Sequence, residues 1–191
     1  NNEGFATAGG VQYVACAGNF KDAGLEYTGA LKVLQMIFSY EYLWIQLRVK
    51  GGAYGCMCSF SDQGDSMFVT YRDPNLSESY KVYDEAADYV ADFDADDRDM
   101  KKYIIGTIGS MDMPMEAVDM GARSFHAYFL GKTEADLQKV RDQVLSCTQE
   151  DIRALAPIVK AVVEAGNRCC IGNEEKIDQN KEYFDEVKHV L

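Results

Sequence analysis

Leu47-Arg48-Val49-Lys50-Gly51-Gly52-Ala53-Tyr54-Gly55 joins a stretch with helical periodicity to one with the alternation of a sheet. Upstream, from about Glu26, the apolar residues Val33, Ile37, Tyr40, Trp44 and Leu47 step by four and three. That spacing sets them on one face of a long helix, which ends in the cations Arg48 and Lys50. Downstream, Tyr54–Ser61 and Ser66–Arg72 are β-rich runs separated by Asp62-Gln63-Gly64-Asp65, the pattern of a hairpin with a polar loop. Asp73-Pro74-Asn75 then stops the sheet.

Outward from this junction, Val11–Phe20 alternates as a strand and turns at Gly18-Asn19. The four-three step returns in Leu76, Tyr80, Tyr83, Ala87 and Val90, and again in Met100, Ile104, Ile108 and Met111, up to the break at Met113-Pro114. Further helices are expected over Met115–Leu130, closed by Gly131, over Glu134–Cys147, and from the capping residue Thr148 to Gly166. Arg168–Ile171 is a short β-type run, and Glu174–Leu191 reads as a charged terminal helix. Helices grouped between two clusters of strands predict an α+β domain over residues 1–191. The expected form is a two-layer sandwich: a largely antiparallel sheet with helices packed on one face.

A chain of 191 residues, 47% apolar and 26% charged, can bury a core without staples. Its formal charge of −12 repels phosphate backbones and anionic membrane surfaces, so neither nucleic acid nor membrane is an expected partner, and neutral or basic peptides are better suited. No run of about 18 apolar residues could span a bilayer. Because the sequence opens on Asn1, we expect it to be a piece of a longer protein.

Cys56 and Cys58 lie two apart, and Cys169 and Cys170 are adjacent, unlike a secreted disulfide framework or the wider C-x2-C spacing of structural zinc sites. Reduced thiols in an intracellular compartment, the cytoplasm or an organelle matrix, are expected. A stand-alone cysteine hydrolase would need Cys56 beside His126, and no local feature activates that thiol. His126 and His189 are the only histidines and form neither H-E-x-x-H nor H-x-x-E-H, so no metal ligands are expected in this chain. The glycines at 51, 52 and 55 follow a helix and precede a strand, the reverse of a phosphate loop.

Two readings of the junction remain. In one, Arg48 and Lys50 complement the helix dipole, the glycines turn the chain and Tyr54 packs as a strand aromatic. In the other, Gly51 and Gly52 leave room for an extended peptide, Arg48 donates to a peptide carbonyl and the Tyr54 hydroxyl reaches a developing oxyanion. Such donors do not hydrolyse a bond alone; another domain or subunit must supply the nucleophile.

Arg48-Val49-Lys50-Gly51-Gly52-Ala53-Tyr54-Gly55 resembles the C-terminal half of presequence proteases, within the insulinase/pitrilysin metallopeptidases. The resemblance continues through Val11–Val14, Tyr27–Leu31, Ser39–Trp44, Tyr71–Leu76 and Ile171–Asn173, and so covers most of the chain in order. It implies a LuxS/MPP-like metallopeptidase fold and the last, zinc-less domain of four, whose halves enclose unfolded peptides. It implies Arg48 as the residue that binds peptide backbone and Tyr54 as the residue that polarises the scissile carbonyl. The resemblance also puts zinc in the N-terminal half of the parent enzyme, so that this chain alone is no enzyme. The alternative arrangement is a separate non-catalytic subunit partnering a zinc-bearing one.

Overall fold

A computed structural model describes residues 1–190 of the chain. It opens with β1 (Glu3–Thr7) and β2 (Gln12–Asn19), followed by α1 (Ala30–Tyr40), a π-helical segment Trp44–Lys50, and the hairpin β3 (Gly55–Phe60) and β4 (Asp65–Asp73). Helices α2 (Ser77–Asp84), α3 (Ala86–Ala91), α4 (Asp97–Met111), α5 (Ala117–Phe129), α6 (Glu134–Leu145), α7 (Gln149–Arg153) and α8 (Ala156–Glu164) come next. The described chain ends with β5 (Asn167–Asn173), α9 (Glu174–Gln179) and β6 (Glu186–His189).

The strands form one sheet in the order β3-β4-β2-β5-β1-β6. The β3/β4, β4/β2 and β2/β5 pairings are antiparallel, as expected, but β1 runs parallel to both β5 and β6, so the sheet is mixed. Alternation along the strands aims Val14, Cys16, Cys58, Phe68 and Cys170 into the core, while Tyr13, Met57, Met67 and Ile171 face outward. The helices lie on the inward side: α1 packs on β3, α2 and α8 on β2, and α9 on β1 and β5. The α+β class and the one-sided layering therefore hold.

Phe38 of α1 sits at the centre of the core. It is fully buried, with ring centroids 5.9 Å from Tyr42, 6.4 Å from Phe60, 5.8 Å from Phe68 and 6.1 Å from Tyr89. Burying one such side chain contributes about 1.5–3 kcal/mol. Two of the hydroxyls in this core bond the main chain: Tyr42 donates to the Val82 carbonyl at 2.8 Å and Tyr83 to that of Val14 at 3.0 Å.

Several expected boundaries change. The long helix breaks at Glu41 (φ −108°, ψ −88°). Leu47 keeps its expected place in the core, joined by Tyr42 and Leu43, while Trp44 beyond the break and Tyr40, the last residue of α1, face solvent, Tyr40 with 66% of its surface exposed. The helix expected from Thr148 to Gly166 is two, α7 and α8, because Pro157 near the start of α8 has no N–H to continue the α7 ladder. The Leu76–Val90 helix is likewise interrupted at Glu85.

The charged terminal helix is the largest correction. Only Glu174–Gln179 is α-helical, capped by the Asn173 side chain accepting from Lys176 N at 3.0 Å, and a short 3-10 turn follows at Lys181–Tyr183. Beyond it Tyr183 packs 5.0 Å from the buried Tyr80 ring, which turns the chain so that Glu186–His189 can add to β1 as a strand. Leu191, the end of that expected helix, lies outside the described residues. Strand β1 was missed because its inward residues are the small Gly4 and Ala6, which carry little periodic signal. A Cβ at Gly4 would lie 3.0 Å from Ile177 and 3.1 Å from Phe184, so a larger residue there would push those side chains aside.

Candidate functional site

The segment between the break at Glu41 and β3 builds a small surface site. Its wide helix is shown by the Gly51 amide reaching back five residues to the Gln46 carbonyl at 3.0 Å, and by the Ala53 amide reaching the Leu47 carbonyl at 2.9 Å. Widening places Arg48 on the same side as Trp44, with the guanidinium carbon 4.4 Å from the centre of the indole. The buried Leu47 and Ala53 anchor the two ends of this turn to the core.

The glycines have conformational reasons to be there. A Cβ at Gly51 would meet the Leu47 carbonyl oxygen at 2.6 Å, and Gly52 has φ +82°, the left-handed region where a side chain is strained. This matches the turn role of Gly51 and Gly52. The turn is buttressed by the next one: Asn75 donates to the Gly51 carbonyl at 2.6 Å, and buried Asp73 accepts from the Asn75 amide at 2.9 Å and from the Ser79 hydroxyl at 2.7 Å.

Tyr54 emerges from this scaffold with 55% of its surface exposed. Its amide donates to the Arg72 carbonyl at 3.2 Å, and its own carbonyl accepts from the Arg48 guanidinium. The ring stands edge-on to Tyr71 at 5.2 Å, with the Arg48 and Arg72 guanidinium carbons 5.5 and 5.8 Å from its centre. Among the described residues no group bonds its hydroxyl, which leaves that donor free to point at an incoming molecule. Arg48 and Tyr54 are therefore brought together, and Arg48 grips the Tyr54 backbone as well as the Trp44 ring.

Sequence reasoning missed the support for this site. Trp44 was expected in the core, and Asp73-Pro74-Asn75 was read only as a sheet terminator. Arg72 carries a positive φ of +49° beside the register shift between β2 and β4, a conformation that leaves no pattern in the sequence.

The cysteines stand apart from this chemistry. Cys56 and Cys58 lie on β3 and Cys169 and Cys170 on β5, three strand steps away, about 14 Å across the sheet. Among the described residues no group of three or more His, Cys, Asp or Glu side chains could hold a metal ion. His126 lies exposed on α5, and His189 Nδ1 is 3.2 Å from Glu174. Burial pushes the Cys16 and Cys56 thiols up to about 11 and those of Cys147 and Cys170 up to about 12, which suits packing and disfavours a thiolate nucleophile.

These thiols hold their protons in the fold above the ordinary value of 9.0, so the unfolded chain binds fewer protons through that window. Their contribution is complete below about pH 9 and is lost as pH rises toward 11 or 12. The urea midpoint should accordingly fall between pH 8 and pH 10.5, and a midpoint that stays level would contradict the buried placement.

A family model described as the PreP C-terminal domain matches residues 2–173. The chain is 43% identical over 190 residues to "Protein HypA" of Clostridium perfringens, covering 100% of this chain and 20% of that protein. It is 34% identical over 194 residues to "Presequence protease 1, chloroplastic/mitochondrial" of Arabidopsis thaliana, covering 100% of this chain and 18% of that one. The chain thus spans about one-fifth of the length of these relatives. Its fold is similar to the peptidase M16 inactive domain from Pseudomonas fluorescens, with a TM-score of 0.65 at 16% identity over 90% of this chain and 43% of that one. Pitrilysin is also similar, with a TM-score of 0.58 at 14% identity over 90% of this chain and 19% of that one. No described helix is long and apolar enough to cross a membrane.

Proposed function

Since this chain belongs to the PreP C-terminal domain family, we propose that it is the fourth, C-terminal domain of a zinc metalloendopeptidase, forming the wall of a peptide-degrading chamber opposite the hydrolytic centre. The metal and the water it activates would come from the N-terminal half, because the described residues here offer no group fit to bind them. The observation that carries the proposal is the placement of Tyr54: an exposed ring, a free hydroxyl, and a backbone clamped by Arg48.

In this reading the Tyr54 O–H donates to the carbonyl oxygen of the bond being cleaved and strengthens its hold as negative charge develops there. Arg48 has five N–H donors, so the one spent on the Tyr54 carbonyl leaves others for the peptide backbone. The Gly51-Gly52 turn carries no Cβ that would obstruct an extended chain. Unfolded peptides are the proposed substrates, with neutral or basic ones favoured by the charge of −12. That both relatives carry the domain as about one-fifth of a longer polypeptide supports a single-chain enzyme over a separate subunit. A reducing compartment suits the six free cysteines, and an organelle matrix suits the plant relative's name.

Arg48→Ala in the full-length enzyme should raise KM for peptides by roughly 10- to 100-fold, the loss of one or two charge-assisted hydrogen bonds, with a smaller change in kcat. Kinetics equal to wild type would remove Arg48 from the substrate path.

A further inference from the structure

Lys32 sits where a cation is poorly accommodated. It lies in the first turn of α1, where the positive end of the helix dipole opposes it and no acidic residue of that turn offsets it. Its side chain is half-buried, and among the described residues its ammonium makes no ion pair or hydrogen bond. Burial holds that ammonium below the ordinary lysine value; Asp62 works against the shift, and Arg123 and Lys132 reinforce it.

The three cations line one cavity of about 440 Å3, enclosed by α1, the β3–β4 loop, α4, α5 and α6. Asp62 is the one carboxylate in its lining, and Asp62 is already paired with Lys132. Three cations less one carboxylate leave two positive charges, in a chain whose acidic residues outnumber its basic ones 31 to 19. Among the described residues the side-chain partner of Arg123 is the Met115 sulfur at 3.9 Å, which does nothing for its charge. Ser110 adds a hydroxyl donor. Tyr27 adds a phenol that burial, with a smaller push from Asp62, raises to about 12, so it keeps its proton. Phe60, Leu137 and Val140 supply an apolar wall.

We propose that this cavity binds a small organic phosphate, its phosphoryl group held among Lys32, Arg123 and Lys132 and its apolar body against Phe60, Leu137 and Val140. A phosphoryl group carries a charge of about −1.5 to −2 and three strong acceptor oxygens, which matches the two surplus positive charges and the surrounding donors. A single carboxylate would leave one of those charges unanswered. The cavity is larger than a bare phosphate needs and falls within the range of small-molecule sites, about 300–1,000 Å3. It lies at the end of β3 opposite Tyr54, so the proposal is independent of the roles given to Arg48 and Tyr54.

The test uses the full-length protein and phenyl phosphate. Lysines are acetylated with an N-hydroxysuccinimide ester at constant ionic strength, and the sites are read by mass spectrometry. Phenyl phosphate at about four times its Kd should slow acetylation of Lys32 and Lys132 about fivefold. Lys160 on α8, its side chain 63% exposed, should react as before. By calorimetry, Kd for phenyl phosphate should rise at least about tenfold in Lys32→Met and in Arg123→Ala, each losing a charge-assisted contact. Arg123 is exposed, so its replacement leaves the fold intact. Benzoate, a monoanion of similar shape, should bind at least about tenfold more weakly. Four results overturn the proposal. Equal slowing of all three lysines would be a general salt effect, and a Lys32 that fails to react before ligand is added would mean that another part of the polypeptide fills the cavity. Unchanged affinity in either variant would place phenyl phosphate elsewhere, and equal affinity for benzoate would remove the phosphoryl assignment.

Discussion

Tyr54→Phe in the full-length enzyme is expected to lower kcat by roughly 30- to 900-fold, about 2–4 kcal/mol of lost oxyanion stabilisation, while KM changes little. The substitution removes one oxygen and leaves the ring, so the edge-on contact with Tyr71 and the hold of Arg48 on the backbone carbonyl survive. Such a clean deletion is what allows kcat to be read as chemistry rather than as a shifted loop. A purified variant with wild-type kcat on a short unfolded peptide would sink the role given to this hydroxyl. A fall in kcat matched by loss of the folded state would show as a lowered melting temperature, which the exposed position of Tyr54 argues against.

The second large effect is on stability. Phe38→Ala should destabilise the domain by about 3–5 kcal/mol, the range for emptying a buried phenylalanine site. Four aromatic rings border the space it would leave, and rigid rings on both the sheet and the helices cannot collapse into it easily. For a domain of this size that is a fall in Tm of roughly 6–20 °C, measurable by calorimetry on the transition containing this domain. A fall of under about 2 °C would mean that Phe38 is not at the centre of the core.

The sequence announced the hairpin and most helices because strong periodicity and turn chemistry agree there: Asp62–Asp65 at the β3–β4 loop and the capping residue Thr148 are local signals with local consequences. It was silent where tertiary contacts decide. Nothing in Glu186–His189 states that a parallel edge beside β1 is open to it, and charge suggested a helix instead. Trp44 continues the four-three step yet faces solvent, because the break at Glu41 is a backbone event with no breaker residue to mark it.

The site was legible to the same extent. Arg48 and Tyr54 were found from a motif, and Gly51 and Gly52 from turn chemistry, which the left-handed Gly52 justifies. The bonds that hold them, from Asn75 to the Gly51 carbonyl and from Arg48 to the Tyr54 carbonyl, cross 24 and 6 residues of chain, so only a structure displays them.

The placement of β1 has a consequence for synthesis. This strand, Glu3–Thr7, is made before the rest of the domain's sheet, but its partners are residues 167–173 and 186–189. While the intervening helices emerge, its ladder groups have no neighbour within the domain, and contacts of such long sequence separation are the slowest to form. The sheet can be finished only after residues 186–189 have been translated, which leaves the nascent domain vulnerable at one strand until then.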